Sequence, residues 1–565
     1  MRTGAWLFLL GLGAILAGGL IASLTQTAGG IRIQDLRFKG ADGVTISALL
    51  YVPPNATPRD PAPGVLAVHG YINSRETQDG FAIEFARRGY VVLAIDQTGH
   101  GYSGGAATSH GFGGPDGLAY LRALPFVDRD NIGLEGHSMG GWTVLAAASA
   151  SPNAYRAMVL EGSSTGKPFA APGTPRFPRN LAVVESRYDE FSQLMWGVDR
   201  ARDVAASPKL IQLFGASGPV TPGKVYGDPA AGTARVLYTP VTTHPGDHIS
   251  TEAIGDALDW FGKTLRGGTP RPAGDQIWMW KEIGTLIAFA GFVALLLGAF
   301  DLLLGLPYFA SLRHPGAASR ETRDGGWWAA FGLTVFVPVI TFYPFLLLGM
   351  VGLPPNPFWT QSITSQIMVW AVLNGAIALI VGRMIRSGPP RFDTRWAPSI
   401  LIALAVVAIG YGSLALADRL FKIDFRFWVV ALKLMSPAQF VAFLAYLPAF
   451  TAFFLVALRA LHGNLTVRSD SAIQQYLTGV GAMALGFALF IAVEYIPLFV
   501  AGRLLIPLEA LNAIVSIQFL PLMAIVGLIG AFTWRRTNSY APGALICGLF
   551  VTWYMVAGTA TQYHG

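Results

Sequence analysis

The sequence predicts two fold classes in one chain: an α/β domain built on a mostly parallel sheet of about eight strands, and an all-α transmembrane domain. At 565 residues the chain is too long for one ordinary domain, and it is 52% hydrophobic but only 13% charged. The apolar residues are unevenly distributed, since residues 28–275 have an ordinary globular composition. We therefore predict an N-terminal transmembrane anchor (1–27), the α/β domain (28–275) and a polytopic domain of about eight helices (276–565).

The α/β prediction comes from short strand-like runs that alternate with helix-length segments between residues 31 and 266. Most of these runs are apolar without polar alternation, which is typical of a parallel sheet covered by helices on both faces. Helical segments of suitable length lie at 78–88, 115–124 and 139–150. The eight strand candidates are IRIQDLRF, VTISALLYV, GVLAVHG, YVVLAIDQ, NIGLEGHS, AMVLEGS, NLAVVES and ARVLYTP. An α/β fold of about eight strands follows.

The transmembrane prediction comes from apolar runs of about 20 residues, which are long enough to cross ~30 Å of hydrocarbon. The first run, Gly4 to Thr25, is uncharged, and no A-x-A cleavage pattern stands before Gly29, so we expect an uncleaved anchor. Eight further spans are predicted to start near Glu282, Gly326, Ser362, Trp396, Ala438, Ala472, Leu505 and Tyr540. The stretch 418–435 mixes charged and apolar residues, and we interpret it as an interfacial amphipathic segment.

Basic residues in the short loops predict the orientation. With the α/β domain outside the cytoplasm, eleven of them are cytoplasmic: Arg313, Arg320, Arg323, Arg383, Arg386, Arg391, Arg395, Arg459, Arg468, Arg535 and Arg536. Only five are then external: Arg419, Lys422, Arg426, Lys433 and Arg503. Cytoplasmic loops of membrane proteins carry such an excess, so the pattern agrees with the anchor. The basic residues in these loops also account for the net charge of +7, so we do not expect the protein to bind nucleic acid.

Cysteine and motif content exclude several kinds of site. Cys547 is the single cysteine, so neither an intrachain disulfide nor a paired-thiolate metal site can form. The sequence contains no H-E-x-x-H motif and no nucleotide fingerprint in the right strand-to-helix context. We therefore expect neither a metal nor a cofactor.

The stretch GLEGHSMGGW, residues 133–142, places Ser138 on a predicted turn between a strand and a helix. Gly136 and Gly140 allow a sharp turn that lifts the serine above the sheet. The first amide of the following helix, that of Met139, then faces the position where negative charge develops during nucleophilic attack. An isolated match of this kind is often only a helix cap, but the flanking strand and helix favour a nucleophile.

Five elements in order resemble the α/β-hydrolase family: VHGY (68–71), DQTGHGYSGG (96–105), GHSMGG (136–141), ESRYDEF (185–191) and HPGDHIST (244–251). The resemblance extends over nearly all of the predicted α/β domain. The stretch that ends in GHSMGG looks most like the dienelactone-hydrolase and peptidase-like branch. The resemblance implies an α/β-hydrolase fold, a serine nucleophile, and the chain order of nucleophile, acid and histidine.

The resemblance also implies the remaining site residues. Asp189 is the expected acid and His248 the expected base, because the closing helix with its cap at Ser250 or Thr251 follows His248 directly. The backbone amide of Tyr71 is expected to join that of Met139 in the oxyanion hole. The rivals that stay open are Glu185 and Glu190 for the acid, of which Glu190 better fits a surface acid, and His244 for the base. We expect His69, His100 and His137 to shape their loops.

The 58 residues between Asp189 and His248, together with 165–180, predict a small cap over the site. Met195, Trp196 and Phe214 are candidates for an apolar acyl pocket, although core packing explains them equally well. These features predict a membrane-anchored serine esterase that acts on small-molecule or lipid esters beside the bilayer. Two other interpretations stay open: a transporter or channel with a hydrolase-like sensor domain, and a membrane acyltransferase.

Overall fold

The computed structural model describes residues 2–314, 320–384, 394–558 and 561–563. Arg386 and Arg391, two of the basic loop residues considered above, lie outside these ranges. The chain divides into two compact units. One contains residues 21–283, 494–510 and 561–563, and the other contains most of the apolar helices. The first unit therefore includes two short segments from late in the sequence besides the predicted α/β domain.

The first unit contains an eight-stranded sheet in the order β1-β2-β4-β3-β5-β6-β7-β8. Strand β2 pairs antiparallel with both β1 and β4, and every other pair of neighbouring strands is parallel. The strands are β1 (Arg32–Lys39), β2 (Thr45–Val52), β3 (Ala62–Val68), β4 (Val91–Ile95), β5 (Val127–His137), β6 (Ala157–Glu161), β7 (Leu181–Val184) and β8 (Arg235–Tyr238). Its helices are α2 (Asp79–Arg87), α3 (Gly114–Ala123), α4 (Met139–Ala150), α5 (Ser192–Trp196), α6 (Pro208–Phe214) and α7 (Thr251–Thr264). All eight predicted strands and the α/β class are confirmed.

Helices cover both faces of this sheet, which explains why its strands are apolar throughout. Along β3, Leu66 packs in the same core cluster as Trp142 of α4, whereas Val65 packs in the opposite cluster with Trp260 of α7. Successive side chains of a strand point to opposite faces, so both sets of β3 residues are buried. The carboxyl ends of the parallel strands meet at one edge, and the loops there carry the residues of the site.

The apolar helices are α1 (Arg2–Gln26), α8 (Met279–Leu303), α9 (Pro307–Ala310), α10 (Gly325–Ile340), α11 (Phe342–Gly352), α12 (Ser362–Met384), α13 (Trp396–Phe421), α14 (Pro437–Leu465), α15 (Ala472–Ala501), α16 (Ala510–Thr537) and α17 (Ala541–Gly558). Within the described residues, eight helices are long and apolar enough to cross a membrane, or nine if the bent pair α10 and α11 forms one span. Each predicted span starts within a few residues of the first residue of one of these helices.

The pair α10 and α11 bends by 47° at Thr341. Pro338 lies just before the bend, where proline removes a backbone donor and strains the helix. Two polar side chains of α12 satisfy groups at the bend: Trp370 Nε1 donates to the Pro338 carbonyl (2.8 Å), and Asn374 Nδ2 donates to Thr341 Oγ1 (3.1 Å). Such partners are needed where a helix breaks in an apolar environment.

The stretch 418–435, interpreted above as an interfacial amphipathic segment, contains a short hairpin. Its first residues end α13, and a two-stranded hairpin follows, formed by β9 (Phe425–Phe427) and β10 (Val430–Leu432). The Arg426 guanidinium pairs with the Asp424 carboxylate, while Phe425 and Leu432 are buried. This ion pair compensates part of the cost of burying the Arg426 and Asp424 charges in the hairpin.

Candidate active site

Ser138 occupies a strained turn between β5 and α4. Its φ of +54° and ψ of −120° lie in a region that side chains other than glycine rarely adopt. The turn is compact, because a Cβ on Gly136 would overlap the backbone of Gly140, and a Cβ on Gly140 would overlap the carbonyl oxygen of Val68. The two glycines therefore permit the turn that the sequence motif predicted.

The two predicted oxyanion amides lie beside this turn. Met139 is the first residue of α4, and an amide at this position has no acceptor within its own helix. Tyr71 follows Gly70, and a Cβ added to Gly70 would come within 3.1 Å of the Ser138 Cβ. The loop after β3 therefore approaches the serine at a distance that favours glycine, which suits the role predicted for the Tyr71 amide.

Asp189 and His244 form a buried pair. His244 Nδ1 donates to Asp189 Oδ2 at 2.8 Å, and both side chains are almost completely shielded from solvent. Asp189 Oδ1 accepts a second hydrogen bond, 2.6 Å long, from the backbone amide of Phe191. Asp189 follows β7 and His244 follows β8, which are neighbouring parallel strands. The carboxylate thus fixes both the orientation and the tautomer of the His244 ring.

His244 also lies close to the serine turn. A Cβ on Gly162 would come within 2.7 Å of His244 Nδ1, and the carbonyl oxygen of the preceding residue, Glu161, accepts the Ser138 amide at 2.8 Å. His137, the residue before the serine, donates from Nε2 to the His244 carbonyl at 2.8 Å. These contacts bring the serine, the histidine and the carboxylate to one edge of the sheet.

The expected pairing of Asp189 with His248 needs correction. Asp189 pairs with His244 instead, and His248 lies in the 3₁₀ turn Pro245–Ile249 that follows His244. The centroid of the His248 ring lies 4.1 Å from that of His137 and 6.3 Å from that of Phe81. The expected helix cap is present, since Ser250 Oγ accepts the amide of Ala253, but proximity to this helix does not select the histidine that meets the acid.

Electrostatics support His244 as a base. Burial disfavours the charged ring, but the carboxylate of Asp189 more than offsets it, with further contributions from Glu190 and Asp247, so that the pKa of His244 is raised above 6.5. A histidine held in this way is stabilised as the cation that forms when it takes a proton from a serine.

The two rival acids have other partners. Glu185 accepts from Ser192 Oγ (3.2 Å) and from Trp196 Nε1 (2.8 Å). Glu190 is only 7% exposed, unlike the expected surface acid. Its Oε2 accepts the backbone amide of His244 at 2.8 Å, and its Oε1 accepts the hydroxyl of Tyr495 at 2.9 Å. Sequence reasoning missed Tyr495, since 305 positions separate it from Glu190 and no local pattern joins them.

A second late segment also reaches the site. Gln562 pairs with the loop after β4, accepting the Ala107 amide and donating its own amide to the Gly99 carbonyl, both at 2.7 Å. The hydroxyl of Tyr563 lies 3.1 Å from that of Tyr71. Residues 561–563 therefore border the predicted oxyanion loop, and no signal in the sequence indicated it.

The remaining histidines and the predicted pocket residues contribute to packing. His69 Nε2 accepts the Gln97 amide at 3.1 Å, and His100 Nδ1 donates to the Thr98 carbonyl at 3.0 Å, so each ties a loop together. Met195, Trp196 and Phe214 are buried in the same core cluster as α4. In the part of the chain that the structure describes, no group of three or more His, Cys, Asp or Glu side chains could hold a metal ion.

Comparisons with known proteins agree with this architecture. A family model described as "Serine aminopeptidase, S33" matches residues 59–188. A monoacylglycerol lipase from Mycolicibacterium smegmatis is 33% identical over an alignment of 140 residues, and the match covers 22% of this chain and 45% of that relative. The chain thus spans less than half the length of the curated relative it matches.

Two of the solved structures that resemble this chain are matched over nearly their whole length. A dienelactone hydrolase from Anabaena variabilis is 18% identical, with 42% of this chain and 99% of that one covered and a TM-score of 0.28. A hypothetical protein from Pseudomonas aeruginosa is 16% identical, with 42% and 95% covered and a TM-score of 0.31. The family model and the curated relative are both similar to part of the domain that holds the eight-stranded sheet. This domain has an α/β-hydrolase fold, and in the sequence it is followed by helices apolar enough to span a membrane.

Proposed function

We propose that this protein is a membrane-anchored serine hydrolase that cleaves carboxylic esters through an acyl-enzyme on Ser138. His244 is the base and Asp189 the acid of the triad. The observation that carries the proposal is the buried 2.8 Å hydrogen bond between His244 and Asp189, next to a serine held at a φ of +54°. An oriented base and a preformed serine turn are the two requirements for activating a hydroxyl at neutral pH.

The reaction proceeds in two halves. Ser138 Oγ attacks the ester carbonyl while His244 Nε2 takes its proton, and the amides of Tyr71 and Met139 stabilise the oxyanion. His244 then gives this proton to the leaving alkoxide, so that an alcohol departs and an acyl group remains on Ser138. In the second half, water attacks the acyl carbon while His244 takes a proton from it. His244 returns this proton to Ser138 Oγ as the bond between the serine and the acyl group breaks, and the carboxylic acid is released. The Asp189 carboxylate orients His244 and stabilises the imidazolium.

The substrate class rests on two supports. The curated relative is called a monoacylglycerol lipase, and the α/β-hydrolase domain is continuous in sequence with long apolar helices. A single-chain ester of a lipid alcohol fits both, because it partitions into a bilayer yet offers an accessible carbonyl. The family model's description as a serine aminopeptidase makes amide hydrolysis the second candidate.

Orientation and location follow from the loop charges. We place the helices in the cell membrane as a multi-pass domain, with the hydrolase domain on the extracytoplasmic side, because this arrangement puts eleven basic loop residues inside and five outside. The bilayer is then both the partner of the helices and the source of substrate.

Turnover by the purified full-length chain in lipid nanodiscs tests the substrate class. We expect release of fatty acid from mono-oleoylglycerol, slower hydrolysis of p-nitrophenyl acetate, and little release of p-nitroaniline from alanyl-p-nitroanilide. Ser138→Ala should abolish all ester turnover. Preferential cleavage of the anilide would favour the peptidase, and transfer of the oleoyl group to an added alcohol in place of water would favour the acyltransferase.

A further inference from the structure

Glu190 joins the base of the proposed triad to the end of an apolar helix. One of its carboxylate oxygens accepts the backbone amide of His244 at 2.8 Å, and the other accepts the hydroxyl of Tyr495 at 2.9 Å. Tyr495 lies in the last two turns of α15, a 30-residue helix that is apolar enough to span a membrane. All three residues belong to the same compact unit.

The same two turns of α15 make a second contact with the acid loop. The rings of Phe499 and Tyr188 pack nearly perpendicular to each other with their centroids 5.2 Å apart, and Tyr188 immediately precedes Asp189. Phe499 and Tyr495 are four residues apart and lie on one face of the helix. The backbone amide of Tyr188 donates to the Thr242 carbonyl at 3.0 Å, which ties this loop to the one that carries His244.

Both partners of the Tyr495–Glu190 hydrogen bond are shielded from solvent, with 7% of each residue exposed. A buried carboxylate without donors is costly, so the Tyr495 hydroxyl helps to hold Glu190 in place and favours its charged form. Glu190 in turn fixes the backbone of His244 at the residue whose side chain must meet both Ser138 and Asp189. Catalytic geometry is sensitive to displacements of about 1 Å at such a point.

We propose that Tyr495 and Glu190 are positioning residues for His244, so that the last turns of a membrane-type helix complete the hydrolase site. This inference rests on the proposed function. It also supplies a reason for the fusion of the hydrolase domain to the helices: the sequence of residues 28–275 does not contain the hydroxyl that supports the loop of the base.

Glu190 is a titratable group next to His244, so its contact with Tyr495 should affect the pH dependence of activity. Burial and then the neighbouring Asp189 raise the pKa of Glu190 to about 7, while His244 and the Tyr495 hydroxyl favour its charged form. The charged and titratable groups that face His244 are Asp189, Glu190, Asp247 and His137. Loss of the Tyr495 hydroxyl makes Glu190 less charged, and Glu190→Gln removes its charge altogether, so both changes lower the pKa of His244. The acidic limb of the pH profile, where activity falls because His244 is protonated, therefore moves to lower pH.

The rate constant for labelling Ser138 with a fluorophosphonate probe tests the inference, because it reports His244 without knowledge of the natural ester. It is measured from pH 5 to 9 on the full chain in nanodiscs for wild type, Tyr495→Phe, Glu190→Gln and Tyr188→Phe. The last variant is the matched control, since it removes a hydroxyl from the same loop and keeps the ring that packs on Phe499.

On the high-pH plateau of each profile, we expect Tyr495→Phe to be labelled about two- to tenfold more slowly than wild type, which corresponds to the loss of one hydrogen bond. We expect the acidic limb of Glu190→Gln to move down by about one pH unit, the effect of removing a nearby charge. Tyr495→Phe should also move the acidic limb to lower pH, but by less than Glu190→Gln does. Tyr188→Phe should have the wild-type labelling rate and the wild-type acidic limb.

Tyr495→Phe and Glu190→Gln profiles that coincide with wild type would overturn the inference and leave the proposed function intact. Slower labelling with an unshifted limb in both variants would also overturn it, since a merely structural role lowers the rate without changing the titration of the base. Absence of labelling in folded wild type would instead count against the proposed function itself.

Discussion

The carboxylate of Asp189 lies 2.8 Å from Nδ1 of His244, although the two residues are 55 positions apart in the sequence. They meet because each lies in a loop at the carboxyl end of one of two adjacent parallel strands, β7 and β8. Strands paired in this way lie about 4.8 Å apart, so loops that leave at the same edge bring their side chains into contact. The parallel sheet thus assembles the base and the acid, and β5 presents Ser138 at the same edge.

Replacement of either histidine tests which one is the base. We expect His244→Ala to reduce ester turnover by about 10³-fold or more, as for loss of a triad member. We expect His248→Gln to stay within about tenfold of wild type, because its ring contacts His137 and Phe81 instead of Asp189. Turnover and thermal unfolding are measured together, so that a loss caused by misfolding is recognised. The reverse ranking in folded variants would return the base to His248.

Asp189→Asn tests the acid. The amide cannot stabilise the imidazolium, so we expect kcat to fall by about 10²- to 10⁴-fold. The base is active when neutral, and the Asp189 charge raises its pKa above 6.5. The acidic limb of kcat/KM should therefore lie above pH 6.5 in wild type and move to lower pH in Asp189→Asn. Glu185→Gln, whose carboxylate bonds to Trp196 instead, should keep the wild-type limb. A shifted limb in Glu185→Gln alone would make Glu185 the acid.

Gly162→Ala tests the closeness of the base to the serine turn. A methyl group there would stand 2.7 Å from His244 Nδ1, and the residue has a φ of +51°. We expect turnover to fall at least tenfold as the ring is displaced, and stability to fall by roughly 1–2 kcal/mol from backbone strain. Gly218→Ala serves as control, since a methyl group there would meet no atom within 4 Å. Equal activity of the two variants would contradict the placement of His244.

Accessible cysteines test the orientation. In a Cys547→Ala background, Asp130→Cys lies on the hydrolase domain and Arg468→Cys in a loop predicted to be cytoplasmic; their native side chains are 80% and 70% exposed. A membrane-impermeant maleimide added to intact cells should label the first and not the second. Labelling of Arg468→Cys alone would reverse the proposed topology, and permeabilised cells, in which both should react, provide the control.

The sequence was sufficient to predict the sheet and the serine turn because both depend on local patterns. Apolar runs marked all eight strands, and Gly136 and Gly140 marked the turn at Ser138. The choice of His248 over His244 was wrong because the two residues share one loop: His244 precedes the 3₁₀ turn Pro245–Ile249 and bonds to Asp189, whereas His248 lies within that turn. A sequence pattern locates such a loop but does not fix the direction of its side chains.

Contacts between distant segments were beyond sequence reasoning. Glu190 looked like a surface acid because its neighbours give no hint of Tyr495, and the segment at Gln562 carries no motif that points to Gly99. The hairpin within 418–435 was likewise hidden, since the pairing of Arg426 with Asp424 becomes visible only when the chain has folded. In each case tertiary contacts satisfy polar groups that a local pattern assigns to solvent or to an interface.

Mass spectrometry of the full-length protein after reaction with a fluorophosphonate probe decides whether Ser138 is an activated nucleophile. We expect one adduct per chain, on the peptide that contains Ser138. Its formation should be abolished in Ser138→Ala and slowed by about 10³-fold or more in His244→Ala. Folded protein that forms no adduct, or forms it equally well without Ser138, would show that this serine is not the nucleophile of a hydrolase.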